Sequence, residues 1–252
     1  MHNSSELPLR DYSAGRKILS SALLLLALAG CQSMPPAPDG ISPARPTQES
    51  APEWPDGQHF VVDEESSRLR LIVRAEGPMA RLGHPHVIGG SAINGEVLLA
   101  NPFRDSALRL TIDVRDLQVD EAEWLQAEGF EPDVEESDIA GTRRNMLSSE
   151  LLDAEDHPEI RIESIGITGP RWQPDIEALV TLAGETRKLT VPVALAMTGD
   201  RLTATGRFVI RQSDFGLTPY SAAGGALRVS DEVLVRFRIS ATRQVDKGED
   251  VE

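Results

Sequence analysis

Residues 178–216 read ALVTLAGETRKLTVPVALAMTGDRLTATGRFVIRQSDFG, and this stretch decides the fold. It contains three β-type runs, Ala178–Leu182, Leu189–Met197 and Leu202–Ile210, joined by two short turns that contain Gly, Thr and an acidic residue. In the second and third runs apolar residues recur at every second position, which is the period of a strand with one buried face. A meander of three strands cannot bury that face alone, so we expect further strands to curl over it.

The same alternation recurs on both sides of this meander. The further strand candidates are His59–Asp63, Arg68–Ala75, Ser91–Ala100, Leu108–Arg115, Glu159–Ile167 and Glu232–Thr242. Between the fourth and fifth of these, Asp120–Leu152 is acidic and helical in pattern. Because most neighbouring strands have no helix between them, the pattern predicts an all-β, antiparallel barrel or sandwich of about eight strands with one helical insertion.

The amino terminus has the features of an export signal. Three basic residues precede the apolar run Ile18–Ala29, which is too short to span a bilayer. The run ends in Leu28-Ala29-Gly30-Cys31, which resembles the bacterial lipobox and so implies cleavage before Cys31 and lipid attachment to it. We predict a lipoprotein signal peptide at 1–30. The lipid places the protein on the periplasmic face, and Gln32 after the cysteine favours the outer membrane.

Composition divides the rest of the chain and excludes some functions. Residues 31–57 are rich in Pro, Ala and Ser and predict a disordered tether, followed by one domain at 58–243 and a flexible acidic tail at 244–252. The chain has 40 acidic and 25 basic residues, a net charge of −15, which argues against nucleic acid as a partner. Cys31 is the only cysteine, so the domain can form no disulfide and has no thiolate nucleophile.

The inward positions of the strands are mostly small and aliphatic. The chain has only 6 Phe, and Val, Ala, Leu and Gly dominate the inward parity. A barrel of this size either fills its interior with side chains or holds one small ligand. Composition alone leaves a hollow barrel and a well-packed sandwich both open.

Four segments, taken in order, resemble the YceI-like family of exported lipid-binding barrels. They are the Gly-His-Pro-His-Val-Ile segment at 83–88, Thr142–Met146 followed by Leu151-Leu152-Asp153 and Pro158, the Leu182–Arg187 turn with Val191-Pro192-Val193, and Arg211–Gly216. The resemblance runs from about His59 to Arg243 and implies a lipocalin-like antiparallel barrel with a helical lid. It also implies an apolar interior that takes a polyisoprenoid chain, as in an isoprenoid lipid or a quinone, with no required cofactor. The lipobox and the His-Pro-His segment depart from better-known members.

His84 and His86 are the strongest candidates for polar chemistry. They lie two apart, and Pro85 favours an extended backbone at His84, so both rings are expected on one side. Three interpretations remain open: a metal site that needs at least one further ligand, a polar contact at the mouth of the cavity, or structural hydrogen bonds. His59, His157 and the many carboxylates are available as further ligands.

Five other residues are candidate ligand contacts. Arg143 and Arg144 could meet a phosphate or a quinone carbonyl at the entrance, although two solvated helix arginines are the simpler interpretation. Arg81 shortly precedes the His-Pro-His segment and is also a candidate ligand contact. Phe208 and Phe237 share the inward parity and are expected in the core or the cavity wall.

The sequence gives little indication of an enzyme. It has no G-x-S-x-G motif and no glycine-rich phosphate loop. We therefore predict a non-catalytic, lipid-anchored envelope protein that binds or carries an apolar molecule. The alternatives are a metal-binding protein or enzyme centred on His84 and His86, and a structural or interaction domain with a filled barrel.

Overall fold

The computed structural model describes Trp54 and residues 56–244, and every strand pairing in this part of the chain is antiparallel. The strands are β1 (Gly57–Val62), β2 (Arg68–Glu76), β3 (His86–Gly90), β4 (Ile93–Ala100), β5 (Ala107–Asp113), β6 (Gln118–Val119), β7 (Glu159–Thr168), β8 (Asp175–Leu182), β9 (Glu185–Pro192), β10 (Ala194–Thr198), β11 (Arg201–Arg211), β12 (Ser221–Ala222) and β13 (Leu227–Arg243). The helices are α1 (Ala122–Ala127) and α2 (Glu136–Leu147). The prediction of an all-β antiparallel fold with a helical insertion is confirmed.

The long strand β13 is the centre of the sheet. Along one edge it pairs with β11, and along the other with β2 and then β1. From β1 the ladders continue through β4, β5, β7 and β8 to β9, while β2 continues to β3 and β6. Every strand is thus joined to one sheet, whose alternating residues place their apolar side chains on a common inner side.

No ladder joins β9 to β11 in the described chain, so hydrogen bonds do not close the sheet. The break lies at Pro192 and Val193. Pro192 has no N–H to donate, and the N–H of Val193 donates instead to the carbonyl of Pro174 at 2.9 Å. The chain then enters β10, which pairs with β11. The predicted single run Leu189–Met197 is therefore two strands with different partners.

This break is one reason why the structure has more strands than the predicted eight. Thirteen strands are present among the described residues, and two of them, β6 and β12, are only two residues long. Short pairs of this kind carry no apolar alternation, so the sequence pattern could not predict them.

The turn between β8 and β9 has the geometry that the sequence predicts for a tight hairpin. Ala183 and Gly184 have φ values of 48° and 79°, the left-handed conformation at both central positions of a two-residue turn. The ring of His157 lies within 2.8 Å of where a Cβ on Gly184 would stand. Glycine is therefore required at position 184 for two reasons: the backbone has a positive φ, and the ring of His157 leaves no room for a Cβ.

Three predictions concern residues outside the described part of the chain. The signal peptide at 1–30, with the lipidated Cys31, is one of them. Most of the tether at 31–57 and all but the first residue of the acidic tail at 244–252 are the others, and all three stay predictions. Among the described residues, no helix has the length and hydropathy that crossing a bilayer requires.

Candidate functional site

Two adjoining apolar cavities occupy the inner side of the sheet. The first, chamber A, has a volume of about 160 Å³ and is lined by β2, β7, β11, β13 and the segment after α2. The second, chamber B, has a volume of about 120 Å³ and is lined by β5, β8, β11 and β13. Six residues line both chambers and form the wall between them, here called the shared wall: Leu69, Ile112, Ile162, Val180, Phe208 and Val235.

Strand alternation explains why these walls are apolar. On β2, Leu69, Leu71 and Val73 line chamber A, while Arg68, Arg70 and Arg74 have the opposite parity. On β13, the residues Val233, Val235, Phe237 and Ile239 line one chamber or the other, whereas Arg236 and Arg238 have the opposite parity. The pattern that predicted the strands therefore also produces the cavity.

Phe208 and Phe237 both face the interior, as predicted. Their rings meet edge to face, with centroids 6.4 Å apart and an interplanar angle of 71°. Phe208 belongs to the shared wall, whereas Phe237 lines chamber B. Their contact with a ligand stays a prediction.

Polar groups are nearly absent from the two linings. Among the described residues, Gln212 is the only polar side chain that lines either chamber. Its Nε2 donates a hydrogen bond of 2.7 Å to the carbonyl of Ser230, so this amide is already paired. The chambers can therefore hold an uncharged apolar molecule, whereas a buried charge would find no counter-ion there.

The helical insertion covers one end of chamber A. Met146, at the end of α2, and Leu151 and Leu152 after it all line this chamber. Arg143 fixes the helix in place, because its guanidinium donates to the carbonyls of Arg115 and Leu117 at 2.5 and 3.2 Å. The helical segment is thus held to the turn that precedes β6.

The three arginines predicted as ligand contacts do not line either chamber. Arg143 bonds to backbone carbonyls, Arg144 is exposed on α2, and Arg81 is exposed in the 3-10 turn Ala80–Leu82. The simpler interpretation, arginines on a helix surface, fits Arg144. A role for any of the three in binding stays a prediction.

His84 and His86 lie together on a buried carboxylate that sequence reasoning did not single out. Asp120 Oδ2 is 2.7 Å from Nδ1 of His86 and 3.7 Å from Nε2 of His84. The two imidazole rings have centroids 4.5 Å apart, so they lie on one side of the chain as predicted. The other histidines considered as ligands lie elsewhere: His157 beside the Gly184 turn, and His59 exposed on β1 near Trp54.

Backbone contacts between β3 and the residue after β6 hold Asp120 in place. Asp120 Oδ1 accepts a hydrogen bond of 2.8 Å from the N–H of Val87, and the N–H of Asp120 donates to the carbonyl of Val87 at 2.9 Å. Its φ is 56°, and its side chain is fully buried. The only hint in the sequence was an Asp, a residue type that tolerates this backbone conformation, at the start of the insertion.

The histidine–aspartate cluster lies next to one end of chamber A. Ile88, two residues after His86 and on the same face of β3, lines that chamber. Val73, the cross-strand partner of His86, lines it too. The cluster is therefore placed at the rim of the cavity, not inside it.

Comparison with known proteins identifies the family. The YceI-like domain matches residues 60–241, which is most of the chain. The chain belongs to the YceI-like family. In this YceI-like protein the match includes all strands from β2 to β12, both helices, both chambers and the histidine–aspartate cluster.

Solved structures resemble this YceI-like protein in fold at low sequence identity. BcnA of Burkholderia cenocepacia has a TM-score of 0.55 at 18% identity, over 72% of this chain and 99% of its own. A polyisoprenoid-binding domain of Saccharophagus degradans, implicated in plant cell wall breakdown, has a TM-score of 0.49 at 12% identity, over 73% and 98%. The YceI protein of Campylobacter jejuni has a TM-score of 0.44 at 10% identity, over 61% and 82%. No curated protein matches.

Proposed function

We propose that this YceI-like protein binds or carries an elongated apolar molecule, a polyisoprenoid or a similar lipid or quinone, in chambers A and B. The observation that carries the proposal is the composition of the two linings, in which every side chain except Gln212 is apolar. Membership of the YceI-like family supports the same class of ligand.

The physical driving force is the burial of apolar surface. Each Å² of apolar ligand surface removed from water contributes about 25 cal/mol, and no specific polar contact is needed. A charged head group would lose its hydration without gaining a partner, so it stays outside the chambers. The ligand therefore has an uncharged tail in the chambers and any polar group at the rim.

The cavity volumes limit how much of an apolar tail one chamber can hold. Each chamber is close to the cavity of ~150 Å³ that accommodates a benzene molecule in another protein. A polyisoprenoid tail is longer, so it occupies both chambers and passes between the side chains of the shared wall. Phe208 lines both chambers, and we expect rotation of its ring to open that passage.

We propose binding or carriage and not catalysis. Among the described residues that line the chambers there is no acid, base or hydroxyl nucleophile. The features of residues 1–31 support the further proposal that a lipid on Cys31 anchors the protein at the periplasmic face of the outer membrane.

The test begins with the full-length protein as purified from its membrane fraction. We expect an organic extract to contain an isoprenoid or related lipid by mass spectrometry. We also expect the emptied protein to enhance the fluorescence of N-phenylnaphthylamine, and farnesol and longer prenols to displace this probe. Lipid-free extracts together with no probe binding would contradict the proposal and favour an interaction domain with a filled interior.

The anchor has its own test. Cells that make the parent are grown with labelled palmitate, and the label is followed to the protein. We expect Cys31→Ser to remove both the label and the association with membranes, while probe binding persists. Label that remains in the Cys31→Ser variant would contradict lipidation at this residue.

A further inference from the structure

Beyond the apolar ligand, the geometry points to a site for one divalent transition metal ion, formed by His84, His86 and Asp120. Two imidazoles and one carboxylate are a donor set that Zn²⁺ accepts, with a fourth position left for water or another ligand. The three donor atoms lie within 4.8 Å of one another. This inference is independent of what the chambers bind.

The distances between the donor atoms are close to those in a zinc site. With Zn–N and Zn–O bonds of about 2.0–2.2 Å, two ligands at a tetrahedral ion stand about 3.4 Å apart. Asp120 Oδ2 is 3.7 Å from Nε2 of His84 and 2.7 Å from Nδ1 of His86. Entry of the ion therefore needs the His84 pair to close by about 0.3 Å and the His86 pair to open by about 0.7 Å, with the metal replacing the proton between Asp120 and His86.

Hydrogen bonding alone leaves part of the cluster unexplained. Nε2 of His84 is buried and has no hydrogen-bond partner, although it faces a carboxylate oxygen. A buried polar atom without a partner is unfavourable and usually has a structural or functional reason. A metal ion coordinated by this nitrogen supplies one.

The charge around Asp120 also favours a cation. Its side chain is fully buried, and no Lys or Arg of the described chain forms an ion pair with it. The N–H of Val87 holds Oδ1 of the carboxylate, a second bond holds the Asp120 backbone, and Oδ2 is left directed at the histidines. A positioned first ligand lowers the cost of assembling the site.

The site is accessible from solvent. The side chain of His84 is 40% exposed, whereas that of His86 is 18% exposed. Because Nε2 of His84 is itself buried, an ion enters when this partly exposed ring moves aside, without unfolding of β3. His86 and Asp120 are the inner ligands, and His84 closes the site.

The test uses the full-length chain, stripped of metal with a chelator and titrated with Zn²⁺ by calorimetry. We expect saturable binding of Zn²⁺, with one of the bound ions per chain at this cluster. His84→Ala and His86→Ala should each remove one ion per chain, or weaken its binding by about 100-fold or more. His59→Ala, at an exposed histidine of β1, is the matched control and should bind as the parent does.

Thermal unfolding separates a lost metal site from a lost fold. We expect Zn²⁺ to raise the unfolding temperature of the parent and of His59→Ala, but not of His84→Gln, because binding to the folded state alone stabilises it. His84→Gln should unfold at the temperature of the metal-free parent, since Nε2 of His84 makes no hydrogen bond there. Co²⁺ should give the visible absorption of a tetrahedral site in the parent and in His59→Ala, but not in His84→Gln. No saturable Zn²⁺ binding, or equal stoichiometry in the parent and both alanine variants, would overturn the inference.

Discussion

The ring of Phe237 lies over Gly206, its cross-strand partner on β11. A Cβ on Gly206 would stand 2.5 Å from Cζ of Phe237 and 2.7 Å from the carbonyl oxygen of Pro192. Gly206 therefore makes room both for the aromatic wall of chamber B and for the place where β9 approaches β11 without pairing with it.

We expect Gly206→Ala to lower the free energy of unfolding by about 1–3 kcal/mol, because the methyl group overpacks a site bounded by the Phe237 ring and the Pro192 carbonyl. Urea denaturation followed by far-UV circular dichroism measures the change. Gly141→Ala is the control, and we expect it to change the free energy of unfolding in the opposite direction. Gly141 lies inside α2, where a Cβ meets only the Arg144 guanidinium at 3.8 Å, so alanine should stabilise by up to about 1 kcal/mol. Equal effects of the two substitutions would contradict this explanation of Gly206.

Filling chamber B should impair binding of an apolar probe. Ala204 lines this chamber, so in Ala204→Phe we expect the affinity for N-phenylnaphthylamine to fall by about tenfold or more, equivalent to about 1.4 kcal/mol. Ala196→Phe, at an exposed position of β10, is the matched control and should bind as the parent does. Unchanged affinity in a folded Ala204→Phe variant would show that the probe binds elsewhere.

The turn after β11 should make stability depend on pH in the acid range. The hydroxyl of Ser213 donates a hydrogen bond of 2.6 Å to the carboxylate of Asp231, and the backbone N–H of Ser213 donates one of 2.8 Å. These two bonds, the hydroxyl bond most of all, lower the pKa of Asp231 below its usual value. A depressed pKa in the folded state stabilises the protein above the unfolded pKa of about 3.9, and the stabilisation is lost as pH falls through the folded value.

We therefore expect Ser213→Ala to raise the pKa of Asp231 towards the usual Asp value of about 3.9. An NMR titration that follows the carboxyl carbon of Asp231 measures this pKa. The variant should be less stable than the parent at neutral pH, and the difference should shrink in strong acid. Ser149→Ala, at an exposed serine after α2, is the control. A pKa of Asp231 that does not move in Ser213→Ala would contradict the assignment.

Helix α1 covers an apolar patch on the outer side of the sheet. Ile72 and Val87 are paired across β2 and β3, are buried, and have the parity opposite to that of the chamber lining. Arg70 lies over the ring of Trp124 at 3.6 Å, and Arg236 forms an ion pair of 2.7 Å with Glu128. The only fully buried side chain of α1 is Leu125, at 1% exposure.

We expect Leu125→Ala to cost about 2–5 kcal/mol in local stability, because it leaves a cavity under the helix. Hydrogen exchange should speed up at the amides of α1 and change little at β11 and β13. Glu123→Ala, at an exposed position of the same helix, should leave the exchange unchanged. Faster exchange throughout the sheet would show that α1 is part of the global folding unit instead.

Sequence reasoning was most successful where one strand face is buried. The alternation in Leu202–Ile210 and in Glu232–Thr242 placed Phe208 and Phe237 on the inner side, and they line the cavity. It was less successful where hydrogen bonding decides the outcome. Pro192 ended a strand because it cannot donate, although the apolar period continued through Val193 to Met197.

The histidine–aspartate cluster was likewise predictable only in part. The spacing of His84 and His86 around Pro85 predicted that the two rings would lie together, and they do. Asp120 could not be chosen among the many acidic residues, because it reaches His86 from 34 positions away only through the short pairing of β3 with β6.

By itself, the sequence determined an antiparallel β fold, the inward face of its main strands and the apolar character of its interior. These are local properties, since side chains alternate along an extended backbone whatever its partners are. The tertiary structure alone decided the number and pairing of the strands, the hollow between them and the carboxylate beside the histidines. Each of these depends on which distant segments pair, and strand pairing depends on hydrogen bonds and packing that residue patterns do not encode.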